Sequence, residues 1–191
     1  MIRHQNIWHM YEGNKGLIVI TDDADRMKEG DIWRLIRGEL RLARPIVYRY
    51  HMGKVPQDLV ATTFPARYLL SDRMVLALSN GNFSGWSTYP VRVIGKDGQE
   101  ILGYHGFSIT GKSGPPDWSR SQRVERQVRG GIWPYLKGVY IDETTWDGSD
   151  IFIPEGTGYI CIMEAVHEAL KPLNLTNIEF QPISEITAPA D

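Results

Sequence analysis

The sequence has one cysteine among 191 residues, Cys161, so no disulfide can form within the chain. The thiol stands in the apolar run 159–162, a setting that predicts a buried and unreactive side chain. The first residues contain no apolar stretch of the kind that a secretion signal requires. No segment approaches the roughly 18 consecutive apolar residues of a membrane span. These absences predict a cytoplasmic protein that does not enter a membrane.

Motifs for metal binding and catalysis are also missing. The five histidines are His4, His9, His51, His105 and His167. No pair of them has the H-x-x-x-H spacing of metal ligands on a helix, and we expect neither a metal nor a cofactor. Residues 81–85 are one position out of register with the G-x-S-x-G motif of serine nucleophiles. We therefore expect a protein that is not an enzyme.

One segment does match a nucleotide-binding pattern. Residues Gly106–Ser113 read G-x-x-x-x-G-K-[ST], the sequence of a phosphate-binding loop. Such a loop needs flexible backbone and then the N-terminus of a helix. Residues 107–110 instead look like the end of a strand, and Lys112 and Ser113 lead into Gly-Pro-Pro. A small nucleotide-binding protein or enzyme that uses this segment is the alternative interpretation.

The patterns that are present favour one α+β domain over residues 1–191, with a mixed sheet and a few short helices. A helix over 72–79 begins at the capping residue Ser71, and Asp97-Gly98 marks a hairpin turn. Near the C-terminus, a strand (158–162), a helix (163–171) and a strand (177–183) follow one another. Residues 118–128, rich in arginine, are predicted to form a charged helix with a solvated face, so no nucleic acid is expected as a partner.

Two segments, 66–93 and 158–185, have similar patterns at an offset of 92 residues. Leu70 aligns with Ile162, and Asp72 aligns with Glu164. Few positions are identical. The segments are either a duplicated strand-helix-strand unit or two instances of a common βαβ-like pattern, and both interpretations favour a mixed α/β layer over an all-β barrel.

The charges are distributed unevenly, although the net charge is only −2. Residues 1–138 hold 20 Lys/Arg against 13 Asp/Glu, whereas residues 139–191 hold 10 acids against Lys171 alone. An acidic segment of this kind is typical of a solvated face or of a docking surface for a basic partner. A docking surface would speed the encounter more than it would add affinity.

The C-terminal part resembles a known group of proteins. The turn Trp146-Asp147-Gly148-Ser149-Asp150, the strand and helix of 158–170 and the segment 175–182 are similar to the tail of a family of small bacterial proteins. Some of its members are predicted immunity proteins of polymorphic-toxin or contact-dependent systems. The resemblance covers about the last 45 residues. It implies a non-enzymatic protein that binds a cognate toxin inside the producing cell, and it supplies no catalytic residues.

Together, the resemblance and the acidic balance predict a protein partner, a basic toxin domain whose active site the chain would mask. The residues expected to contact this partner are Asp142, Glu143, Trp146, Asp147, Asp150 and Glu155. The sequence leaves the identity of the toxin and the oligomeric state open.

Overall fold

The computed structural model describes residues 6–13, 16–53 and 56–190. The fold is α+β, with mixed sheets and a few short helices, which confirms the predicted class. The α-helices of the described residues are α1 (Glu29–Ile36), α2 (Asp72–Asn80) and α3 (Glu164–Leu170). The strands are β1 (Ile7–Glu12), β2 (Ile18–Thr21), β3 (Ile46–Met52), β4 (Leu59–Thr62), β5 (Tyr68–Ser71), β6 (Trp86–Tyr89), β7 (Val91–Ile94), β8 (Glu100–Ile101), β9 (Tyr104–Ile109), β10 (Gly111–Ser113), β11 (Gln122–Val128), β12 (Gly131–Lys137), β13 (Ile151–Pro154), β14 (Ile160–Met163), β15 (Ile178–Pro182) and β16 (Thr187–Pro189).

The described strands form three sheets. The largest has the order β6-β9-β5-β4-β2-β3-β7-β8, the second has the order β10-β13-β14-β1-β15, and the third consists of β11-β12-β16. The first five strands of the large sheet and the five strands of the second sheet follow the same plan. In each, two strands joined by a helix lie on either side of a third strand that comes from elsewhere in the chain.

In each of the two sheets, the central strand comes from the opposite half of the chain. Strand β9 lies between β5 and β6, whereas the N-terminal β1 lies between β14 and β15. The registers agree at the same offset of 92 residues, because Leu59 faces Leu70 in one sheet and Ile151 faces Ile162 in the other. The segments 66–93 and 158–185 thus share one strand-helix-strand arrangement. A common origin by duplication stays a prediction.

Backbone conformations repeat at the same offset. Asn82 and Asn174 both have positive φ, 51° and 48°, in the loop after the helix. Gly85 and Asn177, at equivalent positions before the returning strand, also have positive φ, 85° and 59°. Asparagine is one of the few side chains that adopt this left-handed conformation readily, which explains how it can stand where the other half has glycine.

Two reciprocal carboxylate contacts join the halves. The backbone N–H and the hydroxyl of Thr176 donate to Asp58 Oδ2 at 2.8 and 2.9 Å. The backbone N–H and the hydroxyl of Ser84 donate to Asp150 Oδ2 at 2.8 and 2.7 Å. Asp58 is equivalent to Asp150, and Ser84 is equivalent to Thr176, so each half supplies one acceptor and one donor. Reciprocity of this kind is the pattern of a two-fold arrangement.

Three apolar clusters lie around this frame. One packs α2 and α3 against both large sheets through Met74, Leu78, Val166 and Leu170. A second lies against the eight-stranded sheet and includes Val19, Tyr48 and Leu69. The third lies beside the five-stranded sheet and includes Cys161, which is fully buried as predicted. No helix of the described residues is long and apolar enough to cross a membrane.

The predicted helix over 118–128 is wrong. These residues form a short 3-10 turn and then β11, which pairs with β12 in a hairpin. Val124 and Val128 are four residues apart, a spacing that fits a helix and also fits one face of a strand. The neglected signal is the glycine pair Gly130-Gly131, whose positive φ values of 116° and 129° make the turn. The hairpin at Asp97-Gly98 is confirmed by the pairing of β7 with β8.

Replacing Asp58 by alanine should lower the free energy of unfolding by about 2–4 kcal/mol, because the hydrogen bonds that Ser71 and Thr176 donate to this buried carboxylate would be lost. Urea denaturation measures this change. The variant Asp23→Ala removes a carboxylate that is 90% exposed and should leave stability nearly unchanged. Similar losses in the two variants would contradict the role of Asp58.

The contribution of Asp58 should also depend on pH. Burial by itself raises the pKa of this carboxyl, but the hydrogen bonds from Ser71 and Thr176 outweigh burial and hold the pKa below its ordinary value. A pKa that is lower in the folded chain stabilises the fold above the ordinary carboxyl range and loses this effect as the pH falls. The stability difference between wild type and Asp58→Asn should therefore shrink below about pH 4.

Candidate partner-binding surface

The structure gathers the predicted contact residues around one edge of the five-stranded sheet. Strand β10 is the first strand of that sheet, and residues 142–149 run along its outer side. The backbone N–H of Asp147 donates to the carbonyl of Lys112 at 3.1 Å, and the N–H of Glu155 donates to the carbonyl of Ser113 at 3.1 Å. We call residues 142–149 and Glu155 the β10 edge surface.

Three of the predicted carboxylates have structural partners. Asp147 accepts the backbone N–H of Lys112 on one oxygen and the N–H and hydroxyl of Ser149 on the other. Asp150 makes the reciprocal contact with Ser84. Asp142 accepts the N–H and hydroxyl of Thr144, and these hydrogen bonds lower the pKa of its carboxyl. These side chains therefore hold the surface in shape.

The other two acids have carboxylates without a hydrogen bond or ion pair to any described residue. Glu155 is exposed and Glu143 is half-buried. Both flank β10, because Glu143 belongs to the 3-10 turn Glu143–Thr145 and Thr145 Oγ1 accepts the N–H of Gly114 at 2.9 Å. The structure thus separates the predicted set into acids that build the edge and acids whose charge faces solvent.

Trp146 packs into the fold instead of standing free. Its indole N–H donates to the carbonyl of Ser149 at 3.1 Å, and its ring lies 6.1 Å from the ring of Phe152. The side chain is half-buried beside the third apolar cluster. Gly148 completes the turn with a φ of 88°. The W-D-G-S-D sequence therefore specifies a rigid turn with an aromatic residue beneath it.

Sequence reasoning missed a cleft between the five-stranded sheet and the β11–β12 hairpin. The cavity has a volume of about 670 Å³ and is lined by His9, Tyr11 and Tyr159 on one side and by Arg126 and Lys137 on the other. Burial lowers the pKa of His9 to about 4, so its imidazole is neutral at physiological pH. The error over residues 118–128 hid this cleft, since a helix there would not have formed its wall.

Equivalent positions in the other sheet are filled. Gly106 stands where the second sheet has His9, and Ser108 stands where it has Tyr11. Both residues are buried, and the hydroxyl of Ser108 donates to the carbonyl of Leu35 at 2.6 Å. One sheet thus carries a closed core on this face, whereas the other carries an open cleft with polar aromatic side chains.

The segment Gly106–Ser113 does not form a phosphate-binding loop. It consists of the end of β9 and the short strand β10, and residues 114–117, directly after Ser113, are not helical. A side chain at Gly106 would overlap the ring of Tyr89, so this glycine serves packing. Lys112 pairs with Glu39 at 3.2 Å. The geometry that this motif requires is absent from these residues.

No family model matches the chain, and a search of the curated proteins found no match.

Because residues 106–113 are strands, ATP or GTP with Mg²⁺ should leave the melting temperature of the protein unchanged, and Lys112→Ala should behave in the same way. Gly106→Ala should lower the free energy of unfolding by about 1–3 kcal/mol, since the added methyl group must displace the Tyr89 ring. Differential scanning calorimetry measures both effects. A nucleotide-dependent rise in melting temperature that Lys112→Ala abolishes would restore the nucleotide interpretation.

Proposed function

We propose that the protein is a non-enzymatic binding protein of the immunity type, which neutralises a cognate bacterial toxin by covering the toxin's active site. The observation that carries the proposal is the β10 edge surface. Residues 142–149 lie along the outer side of β10 there, Glu155 follows the neighbouring strand β13, and the turn that resembles the immunity-type tail forms the centre of the surface. The proposed partner is a basic protein domain.

The charge of the β10 edge surface supports a basic partner. Glu143 and Glu155 carry charge that no described cation neutralises, and Asp147 and Asp142 add to the negative potential nearby. Exposed charges of one sign attract an opposite partner over roughly a Debye length, about 8–10 Å at physiological salt. Their effect falls mainly on the association rate and on the choice of partner.

The backbone of β10 favours contact through side chains. An exposed sheet edge ordinarily invites a partner strand to add to the sheet. Here the N–H of Lys112 is bonded to the Asp147 side chain, and its C=O is bonded to the Asp147 backbone. A partner at this edge therefore meets carboxylates on a fixed turn instead of free backbone groups. No feature of residues 106–113 favours the nucleotide-binding alternative.

The direct test is co-expression of the chain with the toxin domains encoded beside its gene. The chain should restore growth with one of them and form a stoichiometric complex with that domain. Restored growth without a complex, or no protection against any of these domains, would contradict the proposal.

Within that complex, Glu143→Gln and Glu155→Gln should each slow association by roughly threefold at low salt, with little change at high salt, because each removes a steering charge. Stopped-flow or surface-based kinetics over a salt series measure this. The matched control is Glu29→Gln, which removes an exposed acid on α1 without an ion pair among the described residues and should leave the rate unchanged. Equal association rates for all three variants would show that the β10 edge surface is not part of the interface.

A further inference from the structure

Three side chains that can bind a metal meet on α3. Glu164, His167 and Glu168 are at positions i, i+3 and i+4, which lie on one face of a helix. His167 Nδ1 is 3.6 Å from Glu164 Oε1 and 3.3 Å from Glu168 Oε1. The candidate ligand atoms of all three residues lie within 4.8 Å of one another. The set combines one imidazole with two carboxylates.

His167 Nδ1 is a buried polar atom without a hydrogen-bond partner among the described residues. The side chain is only 5% exposed, and Nδ1 makes no hydrogen bond with any residue that the structure describes. Buried polar atoms almost always have a partner, so an isolated one calls for an explanation. The ring cannot easily turn away, because it stacks on Trp8 with centroids 3.9 Å apart and meets the edge of Phe180 at 5.0 Å. Nδ1 is therefore held facing the two carboxylates.

The distances fit a shared ion better than a direct hydrogen bond. A charge-assisted N–H···O bond is about 2.7–2.9 Å long, shorter than either distance here. Around a tetrahedral ion with nitrogen and oxygen ligands at about 2.0–2.1 Å, neighbouring ligand atoms are about 3.3–3.4 Å apart. Glu164 is also fixed by a second contact, since the indole N–H of Trp8 donates to its Oε2 at 3.0 Å. In known metal sites, hydrogen bonds from residues that do not touch the ion orient the side chains that bind it.

The equivalent helix shows that the fold does not require these polar groups. At the offset of 92 residues, α2 has Asp72, Val75 and Leu76 where α3 has Glu164, His167 and Glu168. An apolar residue thus takes the place of His167 in the same strand-helix-strand arrangement. Packing of this helix in the fold therefore does not by itself require an imidazole at the position of His167.

We propose that Glu164, His167 and Glu168 form a binding site for a divalent transition-metal ion of the Zn²⁺ class. His167 Nδ1 and one oxygen of each carboxylate are the protein ligands, and water completes the coordination. The nitrogen ligand selects Zn²⁺, Co²⁺ or Ni²⁺ over Mg²⁺ and Ca²⁺, which prefer sites made of oxygen alone. Bound metal would tie α3 to β1 through the Trp8–Glu164 contact. This site is independent of the β10 edge surface.

The test uses the full chain, purified without a histidine tag and stripped with a chelator. Titration calorimetry with ZnCl₂ should show one equivalent bound with a dissociation constant of about 10 μM or tighter, and the melting temperature should rise with zinc but not with Mg²⁺. Co²⁺ should give the visible absorption of a low-symmetry site with a nitrogen ligand. Absence of a stoichiometric zinc site would overturn the proposal.

Variants locate the ion. His167→Val, which introduces the residue of the equivalent position on α2, should abolish the zinc-dependent rise in melting temperature. Glu168→Gln alters an exposed side chain, so it should fold normally and weaken binding at least tenfold. The control is His105→Gln, which removes a histidine of β9 that pairs with Asp72 at 2.7 Å and should leave zinc binding unchanged. Unaltered binding in both His167→Val and Glu168→Gln would show that zinc binds elsewhere and would refute the site.

Discussion

The exchange of central strands between the two halves of the chain is the constraint on which the other features depend. Strand β1 completes the sheet formed by residues near the C-terminus, and β9 completes the sheet formed by the first half. The contacts of Asp58 with Thr176 and of Asp150 with Ser84 then fix the halves against each other. Because β1 pairs with residues about 150 positions later, the five-stranded sheet is not complete until most of the chain is in place.

The two halves differ where the candidate sites lie. Strand β2 is equivalent to β10, since β2 runs parallel to β4 and β10 runs parallel to β13, the strand at the equivalent position of the other sheet. Beyond β2 the sheet continues into β3, whereas beyond β10 it stops, and the acidic turn takes the place of a further strand. The cleft at His9 and the triad at His167 likewise stand where the equivalent positions of β9 and α2 have small or apolar residues, Gly106 and Val75. A shared frame thus carries distinct side-chain chemistry on its second half.

Local patterns in the sequence predicted the parts of the fold that depend on neighbouring residues. The helix capped by Ser71, the turn at Asp97-Gly98 and the C-terminal strand, helix and strand all follow from signals within a few positions. Hairpin β11–β12 was missed because four-residue spacing of valines fits both periods. The strand exchange was not predictable from such signals, because pairing of β1 with β14 is decided by contacts between distant residues.

The candidate site was predictable in composition but not in geometry. The acidic residues around the W-D-G-S-D turn were identified from charge and resemblance. Whether each of these carboxylates accepts a hydrogen bond within the fold depends on residues far away in the sequence, such as Ser84, which is 66 residues from Asp150. The triad on α3 escaped notice because a single histidine beside two acids is a common surface pattern. Only its burial beneath Trp8 distinguishes it.

The most direct test of the exchanged-strand architecture is native-state hydrogen exchange on the intact chain, followed residue by residue at increasing denaturant. Because β1 and β9 each complete the other half's sheet, the amides of β1, β9 and β14 should exchange through one opening reaction, with the free energy of global unfolding. Exchange of β1 through a separate opening of much lower free energy, while β13, β14 and β15 stay protected, would contradict this architecture.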